Sequence, residues 1–301
     1  MIVIAGPTGS GKSELALRLA LAIGGEIVNY DSVQIYRGFD IGSAKPSLEQ
    51  RARVPHHLFD IAEAGDEFNA ADYGRVARET VAEIEARGRR AILAGGTFFY
   101  LRALLSGLPE MPGRDEALRA RIRTIAEKPR GAVLLHRWLS KIDPRSGRKI
   151  APADRHRVER ALEVWIRTGR PISSWEPDAS AELPALKLAL GLDRQRLGTI
   201  LDARVDAMFR GGLIDETRAL LARYPADARP FGTIGYKEAA AVVRGEMNES
   251  EAIAETRRRT RAYAKRQLTW LRSERNVHWL DATDPDKAFE IAMRLIEGQS
   301  A

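Results

Sequence analysis

Gly6, Pro7, Thr8, Gly9, Ser10, Gly11, Lys12 and Ser13 follow the spacing G-x-x-x-x-G-K-S near the start of the chain. Glycines so spaced let backbone N–H groups converge on phosphate oxygens, the lysine adds a full charge, and the serine hydroxyl can ligate Mg²⁺. The amides of Gly9, Ser10 and Gly11 are expected to point into one concavity, with Lys12 at the outer phosphate and Ser13 on the metal. The pattern reports a phosphate site without reporting how many phosphates it holds. Asp31, in N-Y-D-S-V-Q, falls at the carboxyl end of a strand-like run. That edge of an open parallel sheet faces the ligand crevice, so Asp31 is placed to act as a base or metal ligand, or alternatively to cap the turn that follows. Asp40 reads as a turn residue. In A-I-L-A-G-G-T a further apolar strand ends in Gly95, Gly96 and Thr97. Phosphate-loop ATPases commonly carry there the aspartate that organises Mg²⁺ and water, so its absence argues against hydrolysis. His56 and His57 are adjacent and would point to opposite faces of a strand, with no spaced His/Glu set beside them. They read as structural.

Several elements must position these groups. Ile2 to Ala5 reads as a buried strand, and Ser13 to Ile23 as a helix ended by Gly24-Gly25, which is the context a phosphate loop needs. Strands are expected at Glu26 to Tyr30, His57 to Ile61 and Ala91 to Ala94, with a helix over Ala70 to Ala86. This alternation predicts an α/β fold with a parallel sheet covered on both faces. From Gly107 to Leu183 the pattern is helical, and its clearest helix is capped by Asp154, with Val158, Leu162 and Trp165 as its seam. Strands resume at Leu186 to Leu192 and at Asn276 to Asp281. The expected organisation is a phosphate-loop core, 1–106 with 184–301, interrupted by an all-helical insertion, 107–183.

The chain has 301 residues, no cysteine and a net charge of +7. Disulfides and cysteine metal sites are excluded, and a reducing, cytoplasmic setting is expected. No run is apolar enough to cross a bilayer, and the N-terminal apolar run is too short for a signal peptide. An arginine excess arises equally from a GC-rich genome or from a polyanionic partner, so placement decides. In E-T-R-R-R-T-R-A-Y-A-K-R-Q-L-T-W-L-R, the residues Arg258, Arg261, Lys265 and Arg272 fall within roughly 60° of arc beside the apolar seam of Ala264, Leu268 and Leu271. Such a stripe near Tyr263 and Trp270 suits a nucleic-acid backbone and stacked bases, or alternatively a solvated face. The insertion adds Arg119, Arg121, Arg123, Arg155, Arg157 and Arg160. Two separated basic regions favour a nucleic-acid partner.

Taken in order, GPTGSGKS, DSVQIYRGFDIGSAKP, PHHLFD, AGGTFFYLRALLSGL, RVERALEVW, MFRGGLIDETRAL, GTIGYKEA and AKRQLTWLR resemble the bacterial tRNA dimethylallyltransferases nearly end to end. The resemblance implies transfer of a dimethylallyl group from dimethylallyl diphosphate to N6 of adenine 37 in tRNAs that read codons beginning with U. Gly6 to Ser13 and Arg218 would bind the diphosphate, with Mg²⁺ on Ser13. Asp31 would be the base at N6, and Thr97 would line the reaction channel. Asp31, Ser32, Val33 and Gln34 would touch the tRNA anticodon stem-loop. So would Thr97, Arg119, His156, Arg157, Val158, Glu159, Arg160, Lys265, Arg266, Gln267 and Arg272. The expected species is a cytoplasmic monomer free of the membrane. Competing readings are a small-molecule or nucleotide kinase that binds ATP, an enzyme prenylating free adenine nucleotides, and an RNA-binding ATPase switch.

Overall fold

The computed structural model describes residues 1–175 and 182–298. The positions 176–181 within the expected insertion, and 299–301 at the end of the core, lie outside the described residues. The chain divides into two compact units, Met1–Leu105 with Leu183–Ala301, and Ser106–Glu182.

The larger unit is built on a parallel sheet of six strands in the order β3-β2-β4-β1-β5-β6. Its strands are β1 (Ile2–Ala5), β2 (Glu26–Asn29), β3 (His56–His57), β4 (Ala91–Ala94), β5 (Leu186–Gly191) and β6 (Val277–Asp281). Every residue of β1 and β4 is buried, as continuous apolar runs in a sheet covered on both faces must be. Ile2 and Val3 pair with Ile92 and Leu93 on one side and with Leu186 and Lys187 on the other. The flanking helices are α1 (Lys12–Ile23), α2 (Leu48–Arg53), α3 (Ala70–Ala86) and α4 (Phe98–Ser106). Asn69 and Asp72 form a capping box that starts α3 at the expected residue.

In the smaller unit the helices are α5 (Glu116–Glu127), α6 (Gly131–Ile142), α7 (Pro144–Lys149) and α8 (Arg155–Thr168). Ile122, Leu135, Leu139, Val158, Ala161 and Leu162 form its own core. Asp154 accepts from the Arg157 amide and starts α8, and Gly169 ends it in the left-handed region with φ 67°. The larger unit then continues with α9 (Arg194–Arg210), α10 (Leu213–Leu221), α11 (Tyr236–Val243), α12 (Glu249–Ser273) and α13 (Pro285–Glu297).

One strand differs from the sequence reading by more than a single terminal residue. β3 covers His56–His57 rather than His57 to Ile61. Leu58 (φ 63°) and Asp60 (φ 54°) turn out of the extended region. Asp60 is drawn aside by Lys45 Nζ and Arg51 Nη1, each at 2.6 Å. These long-range ion pairs override a locally strand-like run.

Candidate active site

Between β1 and α1 the chain turns through Gly9 (φ 79°) and Gly11 (φ 87°), conformations that a β-carbon would strain. Helix α1 begins at Lys12 without a side-chain cap, so its first-turn amides and positive end are left for a ligand. Thr8, Gly9, Gly11, Lys12 and Ser13 line a cavity of about 640 Å³. The Ser10 amide departs from expectation: it donates to the Pro7 carbonyl at 3.2 Å and closes the loop on itself. The Thr8 amide is likewise engaged, by Gln267 Oε1 at 2.8 Å. Lys12 Nζ also bonds Pro7 O, at 2.8 Å. Burial, helped by the neighbouring Arg204 charge, lowers the Lys12 pKa to about 7 against the pull of Asp31.

Asp31 stands across the cavity at the carboxyl end of β2. Its Oδ1 accepts from the amides of Val33 (2.9 Å) and Gln34 (3.4 Å). The Asp31 amide donates to Asn29 Oδ1 at 2.9 Å. Of the two sequence readings of Asp31, the turn cap is present on one oxygen, and the other oxygen is not used by the turn. Burial pushes its pKa above the ordinary aspartate value, although the two amides, Lys12 and Arg204 oppose the shift. Beside it, Thr97 Oγ1 accepts from the Ser32 amide at 3.0 Å and donates to Ser32 Oγ at 3.1 Å. The turn after β4 packs so closely that a β-carbon on Gly95 would lie 2.5 Å from the Tyr30 carbonyl carbon. Gln34 also lines the cavity, its Nε2 held by the carbonyls of Ser43 (3.0 Å) and Ala44 (3.2 Å).

Several expected site residues lie elsewhere. Arg218 does not line this cavity; its guanidinium pairs with Asp215 on an exposed face of α10. Its neighbour Glu216 instead accepts from the amides of Ile41 (2.8 Å) and Asp40 (3.2 Å) and from the Tyr236 hydroxyl (2.6 Å), which holds the loop carrying Ser43. Besides Lys12, the cavity is lined by Lys45, Arg204, Arg259 and Arg266; Arg204, on α9, is one that the sequence reading missed. Leu197, Leu201, Val205 and Phe209 are the buried stripe of α9, and Arg204 falls three residues after Leu201, toward that stripe. A cation encroaching on an apolar seam was the available signal. Burial lowers its pKa, with Asp31 opposing. Asp40 is bonded by Lys45 Nζ at 2.6 Å. His57 Nε2 meets Glu26 at 2.7 Å, and His56 lines the cavity.

The basic stripe separates into two classes. Arg257, Arg258, Arg259 and Arg261 are paired with Asp206, Glu255, Glu238 and Asp202. Of the stripe read from helical periodicity, Arg258 and Arg261 are thus paired with carboxylates. Lys265, Arg266 and Arg272 are exposed and make no ion pair among the described residues. Trp270 stacks on Phe98 with ring centroids 4.3 Å apart, and Arg102 lies 5.9 Å over its ring. Gln267, expected on the tRNA, is only 2% exposed and lines the cavity beside Gly96.

In the smaller unit Val158 belongs to the core, so it has no surface to offer a ligand. Buried Glu163 accepts from Arg119 Nε (2.9 Å) and Nη2 (2.8 Å) and from Arg160. Buried Glu159 binds Arg123 at 2.9 Å. Arg119, Arg123, Glu159 and Arg160 are therefore engaged in internal ion pairs, although Arg123 is itself exposed; Arg121, Arg155 and His156 are exposed, and so is Arg157, which pairs with Asp154 at 3.3 Å.

The donor set suits a magnesium ion held jointly by protein and phosphate. The described residues contain no cluster of three or more acidic, histidine or cysteine ligands. Mg²⁺ needs none when phosphate oxygens and water complete its shell. Ser13 lines the cavity, and the buried Ser10 hydroxyl has no partner among the described residues.

Fold and cavity define a phosphate-loop α/β protein in which a half-buried carboxylate lines the same cavity as the loop. A sequence profile of the family "IPP transferase" matches residues 34–274, and the chain belongs to that family. It is 51% identical over 284 residues to a tRNA dimethylallyltransferase of Solibacter usitatus (strain Ellin6076), covering 93% of this chain and 92% of the relative. A tRNA dimethylallyltransferase of Geobacter sulfurreducens is 44% identical over 98% of this chain and 96% of its own length. Among solved structures, the full-length tRNA isopentenylpyrophosphate transferase of Bacillus halodurans superposes with a TM-score of 0.73 at 37% identity, covering 99% of this chain and 95% of that one. A eukaryotic dimethylallyltransferase acting on tRNA gives 0.76 at 29% identity, over 95% and 75%.

Proposed function

We propose that this chain is a tRNA dimethylallyltransferase that moves a dimethylallyl group from dimethylallyl diphosphate to N6 of adenine 37 in tRNAs reading codons that begin with U. The observation carrying this reading is one cavity lined by the phosphate loop, Lys12, Arg204 and the carboxylate of Asp31. Membership of the family supports the same reaction.

The C1–O bond of the donor breaks, the N6–C1 bond forms, and diphosphate leaves with the electron pair. An adenine amine is a weak nucleophile because its lone pair is delocalised into the ring. Asp31 takes the N6 proton as the bond forms, and its raised pKa makes it a better base than an ordinary aspartate. Negative charge grows on the departing phosphates, where the first-turn amides of α1, Lys12 and Arg204 stabilise it. Mg²⁺ on Ser13 and the donor phosphates would add to that charge stabilisation. Thr97 and Ser32 fix the turn on which Asp31 sits. The exposed Lys265, Arg266 and Arg272 engage the anticodon-loop backbone, which offsets part of the unstacking of a flipped base. None of the described helices is long and apolar enough to cross a membrane. We assign the reaction to the cytoplasm and the enzyme to a monomer.

The test is to mix the protein with unmodified tRNA, Mg²⁺ and dimethylallyl diphosphate, with free AMP as a parallel acceptor. Prenylated adenosine in tRNA alone is the expected result. Modified AMP with unmodified tRNA, or phosphate transfer from ATP, would replace this reading.

A further inference from the structure

We propose that Gln267 is a positioning residue that holds the diphosphate loop in register with the Asp31 carboxylate; this rests on the transfer reaction proposed above. Its side chain is 2% exposed, on the inward face of α12 beside Ala264 and Leu271. Gln267 Oε1 accepts from the Thr8 amide at 2.8 Å, and Nε2 donates to the Gly96 carbonyl at 2.9 Å. One end of the amide therefore holds the loop that carries the leaving group. The other end holds the turn after β4 that packs against Asp31.

The chemistry of the two contacts dictates the residue. A backbone N–H can be met only by an acceptor, and a carbonyl only by a donor, so the amide has a single orientation. Glutamate lacks the donor, leucine lacks both groups, and asparagine is one methylene short. Gly96 is the point of convergence. A β-carbon there would stand 3.0 Å from Asp31 Oδ2 and 3.1 Å from Gln267 Nε2. The Tyr263 hydroxyl donates to the same Gly96 carbonyl at 2.7 Å. The Thr8 amide is used by Gln267, so it does not serve as a phosphate donor. Gln267 acts on the donor through the shape of the loop.

Reacting atoms must be held about 3–3.5 Å apart, and a misplacement of about 1 Å can cost on the order of 100-fold in rate. Gln267→Leu and Gln267→Glu are therefore expected to lower kcat by roughly 30- to 100-fold while the KM for tRNA stays within about threefold of the parent value. Tyr263→Phe removes one of two donors to Gly96 and is expected to lose several-fold in kcat. It adds less than its own loss to Gln267→Leu, because both act on one carbonyl. A near-parental kcat, or a loss confined to the KM for tRNA, overturns the proposal and returns Gln267 to a tRNA contact. If Gln267→Leu does not fold, Tyr263→Phe carries the same split between kcat and KM. Inorganic diphosphate supplies a readout without tRNA: Gln267→Leu is expected to weaken its binding about tenfold by releasing the Thr8 amide, and unchanged binding counts against the tie. Failure of the parent protein to prenylate tRNA would sink the transfer reading alone, and the diphosphate measurement would still judge Gln267.

Discussion

The two oxygens of Asp31 have different partners. Oδ1 accepts from Val33 and Gln34, and Oδ2 lies toward Gly96. Asp31→Asn keeps the turn, because an amide oxygen still accepts those bonds, but it removes the base. It is expected to lower kcat by about 10²–10⁴-fold with tRNA affinity preserved, read by single-turnover prenylation and filter binding. Parental turnover would remove Asp31 as the base. Because burial raises its pKa, the acid limb of the rate profile should fall at a higher pH than an ordinary aspartate would give. Lys12 gives a second pH effect of opposite sense. With its pKa lowered to about 7, it is charged below that pH and neutral above it. The charged form binds diphosphate, so affinity should weaken as pH rises through 7, with proton uptake on binding at pH 8. Calorimetry in buffers of different ionisation enthalpy measures this, and Lys12→Arg subtracts the ligand's own titration because a guanidinium stays charged. Equal pH profiles for the two proteins would refute the effect. The phosphate loop and Asp31 were legible in sequence because each is local: a spacing, and a strand end. Arg204 and the inward turn of Gln267 were not, because their meaning depends on which helix faces the loop.

Elements were legible where one apolar pattern decided them. Strands β1 and β4 and helix α3 run as read, because continuous burial or a capping box fixes each from its own residues. β3 was misread because Asp60 answers to Lys45 and Arg51, not to its neighbours. The helices of the smaller unit carry a similar long-range device. Burial alone would raise the Glu163 pKa, but the bonds from Arg119, the Asp115 amide and Arg160 outweigh it and hold the carboxyl at about 2. A depressed carboxyl contributes stability above its unfolded value and loses it as pH falls through the folded one. Here the unfolded value is 4.5 and the window runs from there down to about 2. The protection of the α5 and α8 amides, taken relative to intrinsic exchange at each pH, should fall across that window. Glu163→Gln should remove the pH dependence and lower stability, because partly buried Arg119 then keeps only Glu159, at 3.6 Å, as a carboxylate partner. Protection in those helices that stays constant between pH 4.5 and 2 would show that Glu163 does not secure them.

At the scale of the whole molecule, the net charge of +7 overstates what an RNA can use, and the stripe read from helical periodicity overstates it further. Periodicity places Arg258 and Arg261 beside Lys265 and Arg272, but it says nothing of Glu255 and Asp202, which neutralise the first two. A cation already paired with a carboxylate must lose that partner before it gains a phosphate, so little net binding follows. Lys265, Arg266 and Arg272 carry no such cost. Binding of a polyanion releases counterions in proportion to the phosphates neutralised, so the salt dependence of affinity counts working cations. Lys265→Ala and Arg266→Ala should each weaken tRNA binding and reduce the slope of log K against log salt by about one unit. Arg258→Ala and Arg261→Ala should leave the slope unchanged, although all four substitutions change the net charge equally. Equal slopes for the two pairs would mean that the protein attracts tRNA through its overall charge; a difference confined to Lys265 and Arg266 would assign the contact to the free end of α12.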